Sequence, residues 1–295
     1  MTYKIIHKTT YRYSNPVSFG NHVACLTPRS SPHQHLTRHE LRISPAAKST
    51  ERTDYFGNQL TFFTVQEPHN RLVVEARSEV EINASERPQP QKSPPWERVA
   101  KVLQEKHDPE SLEAVEFCFE SPRIRPSAQL ASYAFESFTP ERPFIAGLLD
   151  LTERIYRDFK FDRKATSVRT STEEVFRKRR GVCQDFAHLQ IACLRSLNLS
   201  ARYVSGYLRT FTAPGRPRLA GADASHAWVS AYCPGFGWMD IDPTNNVVPS
   251  FNHVTLGWGR DYGDVSPLRG LILGGRDHTL KVNVDVVAID DYAKS

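Results

Sequence analysis

Three side chains that can act together on an acyl group occur in order along this chain of 295 residues. Cys183 follows Gly181 and precedes an apolar segment with helical spacing, so its thiol is expected at a helix N-terminus. The unpaired backbone N–H groups there carry partial positive charge and favour the thiolate, which is the nucleophilic form of cysteine. His226 and then Asp242 follow, and an imidazole base oriented by a carboxylate commonly activates such a nucleophile. This order indicates acyl-transfer chemistry at a cysteine.

The choice of carboxylate depends on the register of a predicted hairpin. Two strand-like segments, separated by a glycine-containing turn, carry His226 and the aspartates. One antiparallel register sets His226 opposite Asp242, and a shift of two residues sets it opposite Asp240, since both aspartates share a face. Pro243 lacks an N–H group and belongs at a strand end, where sites tend to open. The pattern therefore favours Asp242 and leaves Asp240 as the alternative.

Further side chains are candidates for supporting the reaction. The backbone N–H of Cys183 can donate to an oxyanion, and Gln184 is a candidate for a second donor. Asp223, Trp228 and Asp240 lie close in sequence to the histidine and the carboxylate and are candidates for an oxyanion or supporting role. Asp223 also fits a turn residue that caps the start of a strand.

A metal site is not predicted. On a helix, His188 lies about 140° around the axis from Cys183, so the two side chains cannot converge on one ion. The sequence also lacks an HExxH pattern and paired CxxC motifs. We expect no metal and no other cofactor, and we expect His188 to pack or to form a hydrogen bond.

Composition limits the class of partner. The net charge is only +5 and the charged residues are interspersed, which gives no indication of nucleic-acid binding. No segment reaches the roughly 18 apolar residues of a membrane span, and the first residues lack the apolar region of a signal peptide. Five scattered cysteines are an odd number without CxxC spacing, which favours free thiols. We therefore expect a cytoplasmic protein without a membrane segment.

The length favours two domains. Residues 1–84 show the period-two alternation of strands and are predicted to form an antiparallel β-sandwich. Residues 85–95 contain four prolines in eleven residues and are predicted to be a linker. Residues 96–295 are predicted to form the catalytic domain, with a helical lead-in and a buried central helix packed on an antiparallel sheet. The fold class is therefore α+β.

Individual elements of the second domain can also be predicted. Apolar spacing indicates helices over 96–106, 127–138 and 143–159, and the third has proline at a favourable first-turn position. The central helix begins at Cys183. Alternation from Leu280 to Val286 predicts a final strand.

Four segments of the sequence resemble the transglutaminase-like superfamily, in its bacterial branch of cysteine proteases. These segments are residues 181–189, 202–207, 223–228 and 237–246. Shorter likenesses occur at Pro28-Arg29 and in residues 54–58 and 259–262. The resemblance implies an N-terminal β-sandwich, a papain-related α+β core, and a catalytic triad of Cys183, His226 and Asp242.

The resemblance also implies a reaction. His226 would take the thiol proton, Cys183 would attack an amide carbonyl of a peptide or protein, and a thioester would form with loss of an amine. Water as acceptor gives a protease or amidase, which the resembled branch favours, whereas an amine acceptor gives a protein-glutamine transglutaminase. A non-catalytic peptide-binding module that retains the fold is the alternative from another class.

Overall fold

The computed structural model describes residues 1–83, 89–105, 109–210 and 224–289. Asp223 and part of the predicted linker lie outside these ranges. The strands are β1 Thr2–Ala24, β2 Gln34–Ser44, β3 Lys48–Thr53, β4 Gln59–Val65, β5 His69–Ile82, β6 Lys160–Phe161, β7 Arg180–Gly181, β8 Ala201–Leu208, β9 Ala224–Cys233, β10 Gly237–Ile241, β11 His253–Gly259, β12 Leu268–Gly274 and β13 His278–Ala288. The α-helices are α1 Trp96–Glu105, α2 Pro109–Val115, α3 Ala128–Phe135, α4 Phe144–Asp158, α5 Thr172–Lys178 and α6 Cys183–Arg195.

The N-terminal part is a β-sandwich formed around β1, as predicted. The first half of β1 pairs with β5 and β13, and its second half pairs with β4 and β12. Alternate residues of β5 are buried, because one face of the strand packs on the core. Leu72 and Val74 from this strand pack in one cluster with Val17 of β1 and Phe63 of β4. β1 therefore joins two halves of one seven-stranded sheet, and these halves pack on each other through this cluster.

The prediction that residues 96–295 form one catalytic domain needs correction for its last two strands. β12 and β13 pair antiparallel with β1 and belong to the first sheet. For example, Ile5 lies opposite Val286. The alternation of residues 280–286 predicts a strand correctly, but a period of two does not identify the partner strand. The chain thus returns to the N-terminal sandwich after completing the second domain.

The second part consists of helices packed on a four-stranded antiparallel sheet with the order β10-β9-β8-β11. Helix α6 lies against β8 and β9, and all of its residues from Asp185 to Arg195 are buried. Helices α1, α3 and α4 occupy the three predicted helical segments, with ends displaced by up to three residues. This arrangement confirms a central helix packed on an antiparallel sheet.

A polar contact joins the sandwich to the second sheet. The fully buried side chain of Asn58 bonds to both backbone groups of Trp258, with Nδ2 donating at 2.8 Å and Oδ1 accepting at 3.0 Å. The Arg29 guanidinium stacks 3.5 Å from the centre of the Trp258 ring. Gly257 has no room for a Cβ atom, because such an atom would lie 2.5 Å from Asn58 Oδ1. Two segments noted in the sequence, Pro28-Arg29 and residues 54–58, therefore hold β11 in place.

Candidate active site

The start of α6 is fixed by a carboxylate in its first turn. Asp185 Oδ2 accepts a hydrogen bond from the backbone N–H of Val182 at 2.8 Å and from the Thr166 hydroxyl at 2.6 Å. Gly181 permits this approach, because a Cβ atom there would lie 2.8 Å from the Asp185 side chain. The turn therefore places Cys183 at the first position of the helix. The residue is half-buried and lies at the positive end of the helix dipole.

Cys183 lies near enough to His226, across the gap between α6 and β9, for its sulfur to influence the imidazole. The other side of the imidazole contacts Asp242, whose Oδ2 accepts from His226 Nε2 at 2.7 Å. Because Nε2 is engaged by the carboxylate, Nδ1 is the ring nitrogen left for the thiol. The structure thus brings the predicted cysteine, histidine and aspartate into one connected line.

The strand register differs from both predicted alternatives. Asp240 lies opposite Ser230, which is two residues away from the register that would set His226 opposite Asp242. The hairpin turn is centred on Gly235, whose φ of 80° lies in the region that favours glycine. The two strands are therefore offset, and Asp242 reaches His226 diagonally, just beyond the last residue of β10.

Asp242 is fully buried and is surrounded by donors. Its Oδ2 also accepts from Asn245 Nδ2 at 2.7 Å and from His253 Nε2 at 3.1 Å. Its Oδ1 accepts from the backbone N–H groups of Thr244 at 2.9 Å and Asn245 at 3.3 Å. Burial alone would raise the pKa of Asp242, but the hydrogen bonds from His226, His253 and Asn245 outweigh it and lower the pKa. The carboxylate therefore remains ionised.

The electrostatics of His226 follow from these contacts. Burial opposes protonation of the ring, but the hydrogen bonds and negative charges of Asp242 and Cys183 outweigh burial and raise the pKa of His226 to about 10. The imidazolium is therefore the stable form at neutral pH. A protonated imidazole beside the sulfur is the arrangement that nucleophilic cysteine chemistry uses.

The supporting candidates have different surroundings. Trp228 is buried, and its indole N–H donates to Asp240 Oδ2 at 2.9 Å, so Asp240 contacts the tryptophan instead of the histidine. Gln184 is half-buried beside Cys183 at the helix start. Asp223 lies outside the described residues. His188 is buried and its Nε2 accepts from the backbone N–H of Tyr262 at 3.1 Å, which confirms its predicted hydrogen-bonding role.

One group of side chains has the composition of a metal site. The potential ligand atoms of His226, Asp242 and His253 all lie within 4.8 Å of one another. However, the distances from Asp242 Oδ2 to the two histidine nitrogens, 2.7 and 3.1 Å, are hydrogen-bond lengths. Ligand atoms around a tetrahedral zinc ion would stand about 3.3 Å apart, given bonds of about 2.0–2.1 Å. The expectation that no metal is bound stays a prediction.

The environment of Cys183 differs from that of the other cysteines. All five cysteines lie among the described residues and are free thiols. Burial raises the pKa of Cys25, Cys118, Cys193 and Cys233 to about 12. At neutral pH these four thiols remain protonated and are poor nucleophiles.

Two family models match successive parts of the chain. The model described as the bacterial transglutaminase-like N-terminal region matches residues 3–81, and the model of the transglutaminase-like superfamily matches residues 132–243. The uncharacterized protein Rv2569c of Mycobacterium tuberculosis is 40% identical over 301 residues, which cover 99% of this chain and 94% of that protein. The chain belongs to the transglutaminase-like superfamily and carries the N-terminal region of its bacterial members.

Two further comparisons concern proteins with named activities. The fold is similar to a solved structure of a putative cysteine protease from Cytophaga hutchinsonii, with a TM-score of 0.76, 23% identity, and coverage of 98% of this chain and 92% of that one. A protein-glutamine gamma-glutamyltransferase of Pseudomonas aeruginosa is 28% identical over 130 residues, which cover 44% of this chain and 19% of that protein. No helix among the described residues is long and apolar enough to cross a membrane.

Two residues of the site were not singled out from the sequence. Asn245 stands in a segment noted for its resemblance, three residues after Asp242, and turn geometry brings its amide back to the carboxylate. His253 begins β11, and nothing in its spacing relates it to β9 or β10. Pairing of β11 with β8 places it beside the carboxylate, and that long-range pairing has no local signal.

Proposed function

We propose that this chain is a cysteine-nucleophile acyl-transfer enzyme that acts on amide bonds of peptides or proteins. The observation that carries the proposal is the arrangement of Cys183 beside His226, whose ring bonds to the buried carboxylate of Asp242. The raised pKa of His226 supports the same assignment, because a protonated imidazole beside the sulfur favours the thiolate. Membership of the transglutaminase-like superfamily adds independent support.

The chemistry follows from the positions of these atoms. The Cys183 thiolate attacks the amide carbonyl, and His226 gives its Nδ1 proton to the departing amine, which leaves a thioester. His226 then accepts a proton from the incoming acceptor as that acceptor attacks the thioester, and Cys183 is released. Asp242 holds the ring orientation and balances the imidazolium charge. The N–H of Cys183 at the start of α6 is a candidate oxyanion donor, with Gln184 proposed as a second donor.

Hydrolysis is the favoured outcome of the thioester, and transamidation is the second candidate. The fold similarity to a protein described as a cysteine protease supports the first, and the shorter similarity to a gamma-glutamyltransferase supports the second. A non-catalytic peptide-binding module would have no use for a cysteine placed beside a protonated histidine. Location in the cytoplasm stays a prediction based on the composition.

One experiment separates the three possibilities. Purified protein is incubated with a mixture of glutamine-containing peptides, with and without a fluorescent primary amine, and the products are analysed by mass spectrometry. New amino termini, or conversion of glutamine to glutamate, indicate hydrolysis, and incorporation of the amine indicates transamidation. Cys183→Ala serves as the control in which either product should disappear. Peptide binding without any product in the wild type would contradict the proposal and support the binding module.

A further inference from the structure

His253 occupies an unusual position relative to the proposed catalytic residues. It begins β11, is 9% exposed, and directs Nε2 to the same oxygen of Asp242 that accepts from His226. The ring centres of the two histidines are 5.9 Å apart. One carboxylate oxygen thus lies between two imidazoles, of which only His226 also contacts the cysteine.

We infer that His253 is a positioning residue, which donates from Nε2 to Asp242 and fixes the rotation of the carboxylate. Rotation about the Cβ–Cγ bond of Asp242 determines whether Oδ2 points at His226. Backbone donors hold Oδ1, and His253, together with the Asn245 amide, donates to the oxygen Oδ2 that also accepts from His226. A residue that orients a catalytic group in this way affects the rate without contacting the substrate. The inference rests on the proposed function.

The second ring nitrogen of His253 supports this assignment. Nδ1 is buried and has no hydrogen-bond partner among the residues that the structure describes. Because a carboxylate accepts only, the proton of the ring belongs on Nε2, and Nδ1 is left as an unpaired acceptor. An unpaired polar atom in the interior is unfavourable, and a residue that only filled space would be apolar at this position. The single polar contact to Asp242 therefore accounts for a histidine here.

Packing keeps the ring in the orientation that this contact needs. The Trp228 ring meets His253 edge-on, with centres 5.3 Å apart and planes at 83°. Trp228 is itself fixed by its hydrogen bond to Asp240. The side chain of Asp240 therefore acts on the site indirectly, through Trp228 and then His253, whereas Asp242 acts through direct contact with His226.

The test compares two substitutions at the same position. His253→Gln keeps an N–H donor close to the position of Nε2, and His253→Leu fills similar space without a donor. The rate of Cys183 alkylation by iodoacetamide should fall by about 10-fold or more in the leucine variant. The glutamine variant should keep a rate within about three-fold of the wild type. His7→Leu is the matched control, because His7 is another buried histidine, bonded to Tyr207 and Thr9, and its loss should leave the rate unchanged.

A second measurement does not depend on reactivity. In protein labelled with ¹⁵N-histidine, His253 should show a proton on Nε2 that exchanges slowly with water, and this signal should vanish in both variants. Equal alkylation of the leucine variant and the wild type, or equal impairment of both variants, would overturn the inference, as would a proton on Nδ1. A change of the wild-type spectrum on addition of EDTA would also overturn it in favour of a bound metal.

These outcomes separate the inference from the proposed function. If Cys183 of the wild type does not react, the proposed function fails, while the NMR signal still reports whether His253 donates to Asp242. If Cys183 reacts and the leucine variant reacts equally, the proposed function stands and the role of His253 fails.

Discussion

Each end of α6 carries a cysteine, and the two cysteines lie in different surroundings. Cys183 is half-buried at the first position, where it contacts His226. Cys193, ten residues further along the same helix, is fully buried among apolar side chains, and burial raises its pKa to about 12. The same residue type on the same helix is therefore predicted to be a nucleophile at one end and an inert packing group at the other.

The polar partners of the two ends also differ. At the N-terminal end, Asp185 accepts from Val182 and shapes the turn before the nucleophile. At the C-terminal end, the buried guanidinium of Arg195 donates to the carbonyl oxygens of Phe117, Ala201 and Arg260. The first set of contacts positions a reactive group, and the second ties separate segments together. We therefore expect reactivity and stability to respond to different ends of α6.

The largest expected effect is on the nucleophile itself. Cys183→Ala should reduce amide turnover by about 10⁴-fold or more, because the thioester cannot form. Cys193→Ala should leave turnover within about two-fold of the wild type, although it opens a small cavity in the core. Steady-state assays on peptide substrates measure both effects. Comparable losses in the two variants would contradict the proposed difference between the ends.

The next largest effect on turnover is expected at Asp242, and it should exceed the effect at Asp240. Asp242→Asn replaces the charge that holds the imidazolium and should lower the turnover by about 10²–10⁴-fold. Asp240→Asn alters a contact to Trp228 and should cost less than about 10-fold. Rates measured at a fixed pH on folded variants test this ranking. The reverse order would show that Asp240 is the functional partner of His226.

A substitution of Arg195 tests whether the C-terminal end of α6 contributes to stability and not to reactivity. Arg195→Met leaves several buried carbonyl groups without a donor and should lower the free energy of unfolding by about 3 kcal/mol. The alkylation rate of Cys183 should stay within about two-fold of the wild type below the melting transition. Urea unfolding and labelling of the same samples measure the two quantities. A large loss of reactivity with little loss of stability would contradict this assignment.

The raised pKa of His226 predicts how stability depends on pH. The value rises from about 6.5 in the unfolded chain to about 10 in the folded protein, so the folded state binds the proton more tightly. The resulting stability is fully present below about pH 6.5 and is lost as the pH rises through about 10. The difference in free energy of unfolding between the wild type and His226→Asn should therefore shrink by about 1 kcal/mol or more across this range. A difference that does not change with pH would show that folding does not raise the pKa of His226.

The smallest expected effect concerns the first turn of α6. Asp185→Ala removes the acceptor for the Val182 N–H and should cost about 1 kcal/mol of stability. Because this turn positions Cys183, the alkylation rate of Cys183 should still fall by several-fold in Asp185→Ala. The same rate should stay nearly unchanged in Arg195→Met. Thr166→Val, which removes only the second contact to Asp185, is the milder control.

The sequence predicts the features of the site that depend on local patterns. The glycine turn and the 3.6-residue spacing place Cys183 at a helix start, and alternation identifies the strand of His226. The hairpin register could not be predicted correctly, because Pro234 and Gly235 both suit a turn and the choice of centre shifts the pairing by two residues.

Long-range pairing limits the rest of the prediction. The alternation of β13 predicts a strand, but β13 pairs with β1 from the other end of the chain, and no local pattern encodes that choice. His253 enters the site for the same reason, since its position depends on how β11 pairs with β8. Contacts between residues distant in the sequence thus determine both the domain boundary and the surroundings of Asp242.

The most direct test of the central claim is the rate of iodoacetamide labelling as a function of pH, with the modified cysteine located by mass spectrometry. An ordinary thiol reacts appreciably only as the pH approaches its pKa of about 8.5. We predict fast labelling confined to Cys183 that persists down to about pH 6 and is lost in His226→Ala, because the imidazolium stabilises the thiolate. Slow labelling that follows an ordinary thiol, or equal labelling in His226→Ala, would contradict an assembled nucleophile at the start of α6.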